Sequence, residues 1–287
     1  MRDPLKIADD FLSKGQYIKA IEFATKSLED NPSDSKAFEI LGIAKYRLRD
    51  ASSSLECLFK SIELNPKNDN SYYILSLIYG QKSEWQNALD YIDKALQINR
   101  HNTNYLYCKA FALYSLCQFD ESMSYCSQIL NSKPGHQEAL FLRADIYLKS
   151  KQYALAIEDY KKLDYKTERK GVIYNNIGFC YSMLGDVAKA KINLQFAIEL
   201  NSSLSYAYNN LGFVYYLEKN YQRALNLINE SLGIDSSNSF ALKNRALVLF
   251  ELNQIDQAIE DLLLAKDLGY AETYDNEVDL LLEKYKK

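Results

Sequence analysis

A repeat of 34 residues constrains this chain more than any other feature. Eight consecutive windows of that length, beginning at residues 1, 35, 69, 103, 137, 171, 205 and 239, follow one another without an insertion. The eighth place of each window always holds Ala, Gly or Ser, in the order Ala8, Gly42, Ser76, Ala110, Ala144, Gly178, Gly212 and Ala246. The twentieth place does the same, with Ala20, Ser54, Ala88, Ser122, Ala156, Ala190, Ala224 and Ala258. These residue types make up only about one fifth of the chain, so the pattern indicates one structural unit repeated in series.

Each window is typical of two amphipathic helices. In the window 205–238, bulky residues such as Leu211, Tyr215, Leu225 and Ile228 recur mostly at spacings of three and four, which is the period of a helix. The short segment 217–220 separates the two patterns and predicts a turn. A helical hairpin of this size cannot bury both of its faces, so we expect successive hairpins to stack on one another.

The spacing and its residues resemble the tetratricopeptide repeat (TPR) family. The sixth window carries much of that family's signature, at Tyr174, Ile177, Gly178, Tyr181 and Ala190. The resemblance implies an all-α fold, a right-handed α-solenoid or superhelix of helix-turn-helix hairpins. It predicts eight repeats over residues 1–272, with bounds 1–34, 35–68, 69–102, 103–136, 137–170, 171–204, 205–238 and 239–272.

Two segments outside this regular pattern carry their own predictions. Residues 273–287 place Val278, Leu281 and Leu282 on one helical face with charges on the other, which predicts a C-terminal capping helix. The charged connection 164–171 is either a hinge or a solvated turn.

Composition and charge exclude several classes of partner. A net charge of −4 and a pI near 5.4 offer no general attraction for nucleic acid or an anionic membrane. No run of 18 apolar residues occurs, and Asp3, Asp9 and Asp10 interrupt the start of the chain where a signal peptide would be apolar. We therefore expect a cytoplasmic protein that binds neither membranes nor nucleic acid.

Residues that could carry catalysis or hold a metal are sparse. The two histidines, His101 and His136, lie in predicted turns, and the five cysteines are scattered without a CxxC pair. No nucleotide-binding, zinc-hydrolase or serine-hydrolase motif is present. We predict a protein that is not an enzyme and has neither cofactor nor metal. An enzyme with one of the histidines as base remains an alternative.

The TPR resemblance implies a binding surface, because the first helix of each hairpin then lines a concave groove. The second, fifth, sixth, ninth, twelfth and thirteenth places would face a ligand. The predicted groove residues are Ile40, Ile43, Tyr73, Ile74, Leu77, Tyr107, Phe111, Tyr114, Phe141, Asn175, Asn176, Phe179, Asn209, Asn210, Phe213, Tyr216 and Asn244.

Two parts of this groove predict different contacts. The apolar residues of the second to fifth repeats favour a hydrophobic or aromatic segment, extended or helical. The alternative is that curvature buries them against neighbouring repeats. In the last three repeats, asparagines at the sixth place could pair with the main chain of an extended peptide. The alternative there is that asparagine is simply a frequent polar residue at that place.

We therefore predict a non-catalytic scaffold or adaptor that binds a protein or peptide segment in its groove. The basic and amide residues that would clamp a chaperone's C-terminal carboxylate tail are not matched, so such a tail is not the expected ligand. A monomer is expected. The alternative is a self-associating assembly protein whose groove accepts a terminal helix of another copy.

Overall fold

The computed structural model describes residues 3–163, 169–270 and 276–285, and the regular secondary structure in these ranges is entirely α-helical. The first helix of each hairpin is α1 (Pro4–Ser13), α3 (Ser35–Arg47), α5 (Asp69–Gln81), α7 (Thr103–Ser115), α9 (Gln137–Lys149), α11 (Lys170–Met183), α13 (Ser205–Leu217) and α15 (Ser239–Glu251). The second helix is α2 (Tyr17–Asp30), α4 (Ala51–Leu64), α6 (Trp85–Ile98), α8 (Phe119–Ser132), α10 (Tyr153–Lys161), α12 (Val187–Leu200), α14 (Tyr221–Ile234) and α16 (Ile255–Asp267). A last helix, α17, spans Glu277–Tyr285.

The helices of each hairpin approach closely where the sequence places small residues. A Cβ added to Gly212 would lie 2.6 Å from Cγ1 of Ile228, and one added to Gly178 would lie 2.6 Å from Cγ of Leu194. Where the twentieth place is serine, its hydroxyl donates to the carbonyl of the eighth place, as Ser54 does to Gly42 at 2.7 Å. The expected close approach is confirmed at these positions, and it leaves no room for a larger side chain.

The turn inside each hairpin has one backbone feature in common, a left-handed residue at the fifteenth place. Positive φ angles of 58° to 78° occur at Gly15, Arg49, Ser83, Cys117, Lys151, Gly185, Lys219 and Asn253. The next residue donates its backbone N–H to a carbonyl five residues earlier, for example Asp186 to Tyr181 at 3.0 Å. This arrangement ends the first helix and reverses the chain. Only two of the eight repeats place glycine there.

The chain divides into two compact units, residues 1–146 and 147–287. In the first unit, several apolar clusters lie between successive helices, such as the one formed by Leu58, Ile74, Leu75 and Ile78. In the second unit, one continuous cluster extends from Ala190 to Leu282. Each cluster combines residues of more than one repeat, as stacked hairpins require.

Helix α17 packs on the last hairpin. Val278 and Leu282 are 1% and 5% exposed and belong to the same cluster as Leu262. Lys266 of α16 bonds Asp279 at 2.7 Å, and the aromatic rings of Phe250 and Tyr285 stack with their centroids 3.8 Å apart. The remaining residues of the predicted capping segment, 273–275, 286 and 287, lie outside the described residues. So does most of the predicted hinge, residues 164–168.

Within the part of the chain that the structure describes, no helix has both the length and the apolar character needed to cross a bilayer.

Candidate peptide-binding surface

The structure distributes the predicted groove residues over three levels of burial. Phe111 is exposed, at 41%. The half-buried set comprises Ile43, Tyr73, Leu77, Tyr107, Tyr114, Phe141, Asn176, Phe179, Phe213 and Tyr216. The buried set comprises Ile40, Ile74, Asn175, Asn209, Asn210 and Asn244, each 7% exposed or less.

The buried set requires a correction. Ile40 and Ile74 belong to apolar clusters between neighbouring helices, where they contact other side chains and present almost no surface. A ligand outside the chain cannot contact a residue that is already enclosed. At these two positions, packing against neighbouring helices buries the sixth place.

The asparagines of the last repeats bond one another from repeat to repeat. The side-chain amide of Asn210 donates to Oδ1 of Asn175 at 2.9 Å, and that of Asn244 donates to Oδ1 of Asn209 at 3.0 Å. The two asparagines of each pair are 35 positions apart, which is one repeat of 34 residues plus one. The amides therefore join adjacent first helices in the free chain, so a ladder toward a peptide main chain would have to compete with these bonds.

Asn176 is held differently from the other asparagines. Its amide donates to the hydroxyl of Tyr160 at 3.0 Å, and its Oδ1 accepts from Asn175 at 3.0 Å. The fifth- and sixth-place amides of this repeat therefore bond each other as well as their neighbours. Half-buried Asn176 keeps part of its side chain on the surface.

An aromatic face lies on the first helices of unit one, and we define it by Tyr73, Leu77, Tyr107, Phe111 and Tyr114. Ring contacts link its members and their neighbours. The centroids of Tyr107 and Phe111 lie 6.3 Å apart, and those of Tyr73 and Tyr105 lie 4.9 Å apart. These rings pack against one another while Phe111 stays exposed, an arrangement that is favourable for contact with apolar groups.

A cavity of about 220 Å³ opens beside this face, between α3, α5, α6 and α7. We call it the Trp85 cavity. Leu77 and Phe111 of the aromatic face form part of its wall, and Trp85 meets Phe111 edge to face at 5.7 Å. Trp85 and Gly80 were not predicted as site residues, because Trp85 lies on a second helix and glycine has no side chain to reveal a wall.

The polar side chains of this cavity are neutral, and four of them bond in two pairs. The amide of Gln81 donates to the hydroxyl of Tyr46 at 2.9 Å, and the hydroxyl of Ser76 lies 3.3 Å from the sulfur of Cys108. Burial raises the pKa of the Tyr46 phenol and the pKa of the Cys108 thiol. Both groups therefore stay protonated at neutral pH, and neither provides a charge inside the cavity.

In unit two, the half-buried rings of the first helices lie beside a buried lysine. The rings of Phe213 and Tyr216 stack at 5.9 Å, and the ammonium group of Lys243 lies 5.8 Å from the centroid of Phe213. Lys243 is only 4% exposed and bonds Glu277 at 3.0 Å. This surface thus combines aromatic rings with a cation that is already paired.

The two histidines have separate surroundings: His101 lines an open pocket with Asp93 and Lys109, and His136 lies 3.4 Å from the carboxylate of Glu138. His101 is exposed and accepts from the guanidinium of Arg100 at 3.1 Å. Nδ1 of His136 accepts from the backbone of Ala139 at 3.2 Å. Among the described residues, no group of three or more His, Cys, Asp or Glu side chains could hold a metal ion.

Four of the 34-residue windows match a known repeat family. The model of the tetratricopeptide repeat matches residues 69–102, 137–165, 172–204 and 205–238, and these stretches follow the 34-residue windows. These four stretches are tetratricopeptide repeats. A search of curated proteins finds no match to the sequence.

Solved structures share the all-α TPR solenoid fold. A tetratricopeptide repeat protein from Parabacteroides merdae has a TM-score of 0.64 at 18% identity, over 99% of this chain and 98% of that one. A chain of the hetero-tetramer of Cut9 and Hcn1 has a TM-score of 0.66 at 14% identity, and the match covers 84% of this chain and 48% of that chain. MamA from Desulfovibrio magneticus RS-1 gives 0.54 at 19% identity, over 59% of this chain and 96% of that one. The TM-scores show a common fold, and at identities this low the likeness extends no further than the fold.

Proposed function

We propose that this TPR protein is a non-catalytic scaffold or adaptor that holds a protein or peptide segment on the first helices of unit one. The observation that carries the proposal is the Trp85 cavity beside the aromatic face, since a concave apolar site rimmed by aromatic rings is typical of a binding site. The related Cut9 structure contains a second protein, Hcn1, which agrees with a scaffold role for the fold.

The chemistry of the surface favours a protein segment over other partners. Aromatic residues with a polar tip, such as Tyr73, Tyr107 and Tyr114, bury a large area while freezing few rotamers. A net charge of −4 does not favour nucleic acid or an anionic membrane. A cytoplasmic location is part of the proposal, supported by five cysteines that are all free thiols.

In unit two, Phe179, Phe213, Tyr216 and the accessible part of Asn176 form a separate candidate contact surface. In this proposal, the buried asparagines hydrogen-bond adjacent repeats to each other and do not contact the ligand. Self-association through a terminal helix is disfavoured, because the apolar side chains Val278 and Leu282 of α17 are already buried on the chain's own last hairpin.

The test is selection from a display library of random eight-residue peptides on the immobilised protein, followed by binding of the selected peptides to variants. Phe111→Glu places a charge on the aromatic face and should abolish binding. Phe59→Glu is the matched control, because Phe59 on α4 is 39% exposed against 41% for Phe111. Circular dichroism should show both variants folded. Equal peptide binding by Phe111→Glu and the unchanged protein would refute the assignment.

A further inference from the structure

The Trp85 cavity has the dimensions of one bulky side chain. An engineered cavity of about 150 Å³ in another protein holds a benzene molecule. The Trp85 cavity, at about 220 Å³, is therefore large enough for a phenyl ring, an isobutyl group or a methionine thioether. Trp85 and Phe111, whose rings meet edge to face, both line the cavity and give such a group aromatic surface to pack against.

The interior of the cavity favours an apolar occupant. Two pairs of its polar side chains bond within the pair, Gln81 with Tyr46 and Ser76 with Cys108, and most of the remaining wall is apolar. A polar group entering the cavity would exchange its bonds with water for contacts that are mostly apolar, which is unfavourable. An apolar group entering it only exchanges water for side-chain contacts.

The mouth of the cavity carries a positive charge. The guanidinium of Arg47 lies 6.0 Å from the centroid of the Tyr46 ring, and Tyr46 lines the cavity. Its charge acts on the hydroxyls of both Tyr46 and Tyr73. Arg47 is exposed, and among the described residues no carboxylate forms an ion pair with it. A carboxylate on the ligand would complement this charge.

We propose that the Trp85 cavity selects a bulky apolar side chain, such as Phe, Leu or Met, on a segment that carries a carboxylate beside it. The cavity takes the apolar group, and Arg47 at the mouth takes the carboxylate. This inference rests on the proposed function and adds the ligand's chemistry to it.

Trp85 makes the site observable, because it is the only tryptophan in the chain. The probe is the peptide acetyl-Ser-Ser-Phe-Glu-Ser-Ser-amide, titrated into the full chain while the emission of Trp85 is recorded. A second probe has Glu and Phe in reverse order. Changing Phe to Ala should weaken binding more than about tenfold, because the buried apolar surface is lost. Changing Glu to Gln should weaken it about two- to fivefold, with less difference at high salt.

Variants of the protein test whether the peptide binds in the cavity. Cys108→Met fills the space from inside with a flexible apolar chain and should weaken binding more than about tenfold. Phe111→Ala removes one wall and should also weaken it, so the test does not depend on one variant folding. Arg47→Gln should remove the preference for Glu over Gln, whereas Arg100→Gln, an exposed arginine outside the cavity, should leave both preferences unchanged.

The outcomes separate this inference from the proposed function. If the Ala peptide binds as well as the Phe peptide, or if Cys108→Met binds normally, the inference is overturned. Library peptides that depend on Phe111 but show no apolar and acidic pair would overturn it while leaving the scaffold proposal intact. A dimer in light scattering that Cys108→Met converts to a monomer would also overturn it, since a second copy would then be the occupant.

Discussion

Replacing Gly212 with alanine tests how tightly the helices of a TPR hairpin are held. The added Cβ would lie 2.6 Å from Cγ1 of Ile228 and 3.1 Å from the carbonyl oxygen of Ala224. The first contact requires a fully buried side chain to move, and the second requires backbone to move. Overpacking of this kind costs about 1–3 kcal/mol. Alanine gains about 0.5–1 kcal/mol over glycine inside a helix.

The expected net result for Gly212→Ala is a loss of up to about 2.5 kcal/mol in the free energy of unfolding, with a central value of about 1 kcal/mol. Gly233→Ala is the matched control. Gly233 also lies inside a helix of this repeat, α14, but its added Cβ would meet nothing within 4 Å. This control should therefore gain about 0.5–1 kcal/mol. The two variants should thus shift stability in opposite directions.

Urea denaturation followed by circular dichroism measures both variants, since a change in midpoint at constant slope reports stability. Ile228→Ala removes the side-chain atoms of the closest contact, so the double variant with Gly212→Ala should be more stable than the sum of the two single changes predicts. In the eighth repeat, Ala246 stands at the place of Gly212 and Leu262 at the place of Ile228, so alanine is compatible with that hairpin. If Gly212→Ala stabilises the protein as much as Gly233→Ala does, the hairpin adjusts its spacing freely and the reasoning is wrong.

Three further predictions use other parts of the fold. Lys219→Gly should raise the free energy of unfolding by about 1 kcal/mol, because Lys219 has a φ of 60° that glycine adopts without strain; denaturation showing a loss would contradict this. Glu39→Ala should lower it by about 1–3 kcal/mol, since the buried carboxylate accepts from the amides of Asn68 and Asn70 at 2.9 and 2.8 Å; a neutral result in the same assay would count against the network. Burial, with Asp145 nearby, raises the pKa of Tyr114 from 10.0 to about 12, so its protonated form favours folding, and this contribution is present below pH 10 and lost as pH rises toward 12. Tyr114→Phe should lessen that alkaline loss in denaturation curves measured across this range, and an unchanged loss would refute the assignment.

Local packing and chain reversal were predictable from the sequence to different degrees. The small residues at the eighth and twentieth places are visible as a pattern because close helix contact excludes every large side chain there. The left-handed residue at the fifteenth place was not visible, because only Gly15 and Gly185 show it by residue type. In the other repeats it is seen only in the backbone, where the N–H of the next residue bonds a carbonyl five residues earlier.

The candidate site depended more on tertiary structure. Asparagine has both a donor and an acceptor, so its place in the repeat is compatible with a peptide main chain or with a neighbouring asparagine. Only the distances between Asn175 and Asn210, and between Asn209 and Asn244, show that the neighbour is bonded in the free chain.

By itself, the sequence determined the period, the helical hairpins and the family, because these follow from residue types at fixed spacings along the chain. Tertiary structure alone decided which first-helix side chains are enclosed and which stay accessible. It also formed the Trp85 cavity, whose walls come from four helices between residues 46 and 112. The volume left between packed helices depends on how all of their side chains fit together, and no single repeat contains that information.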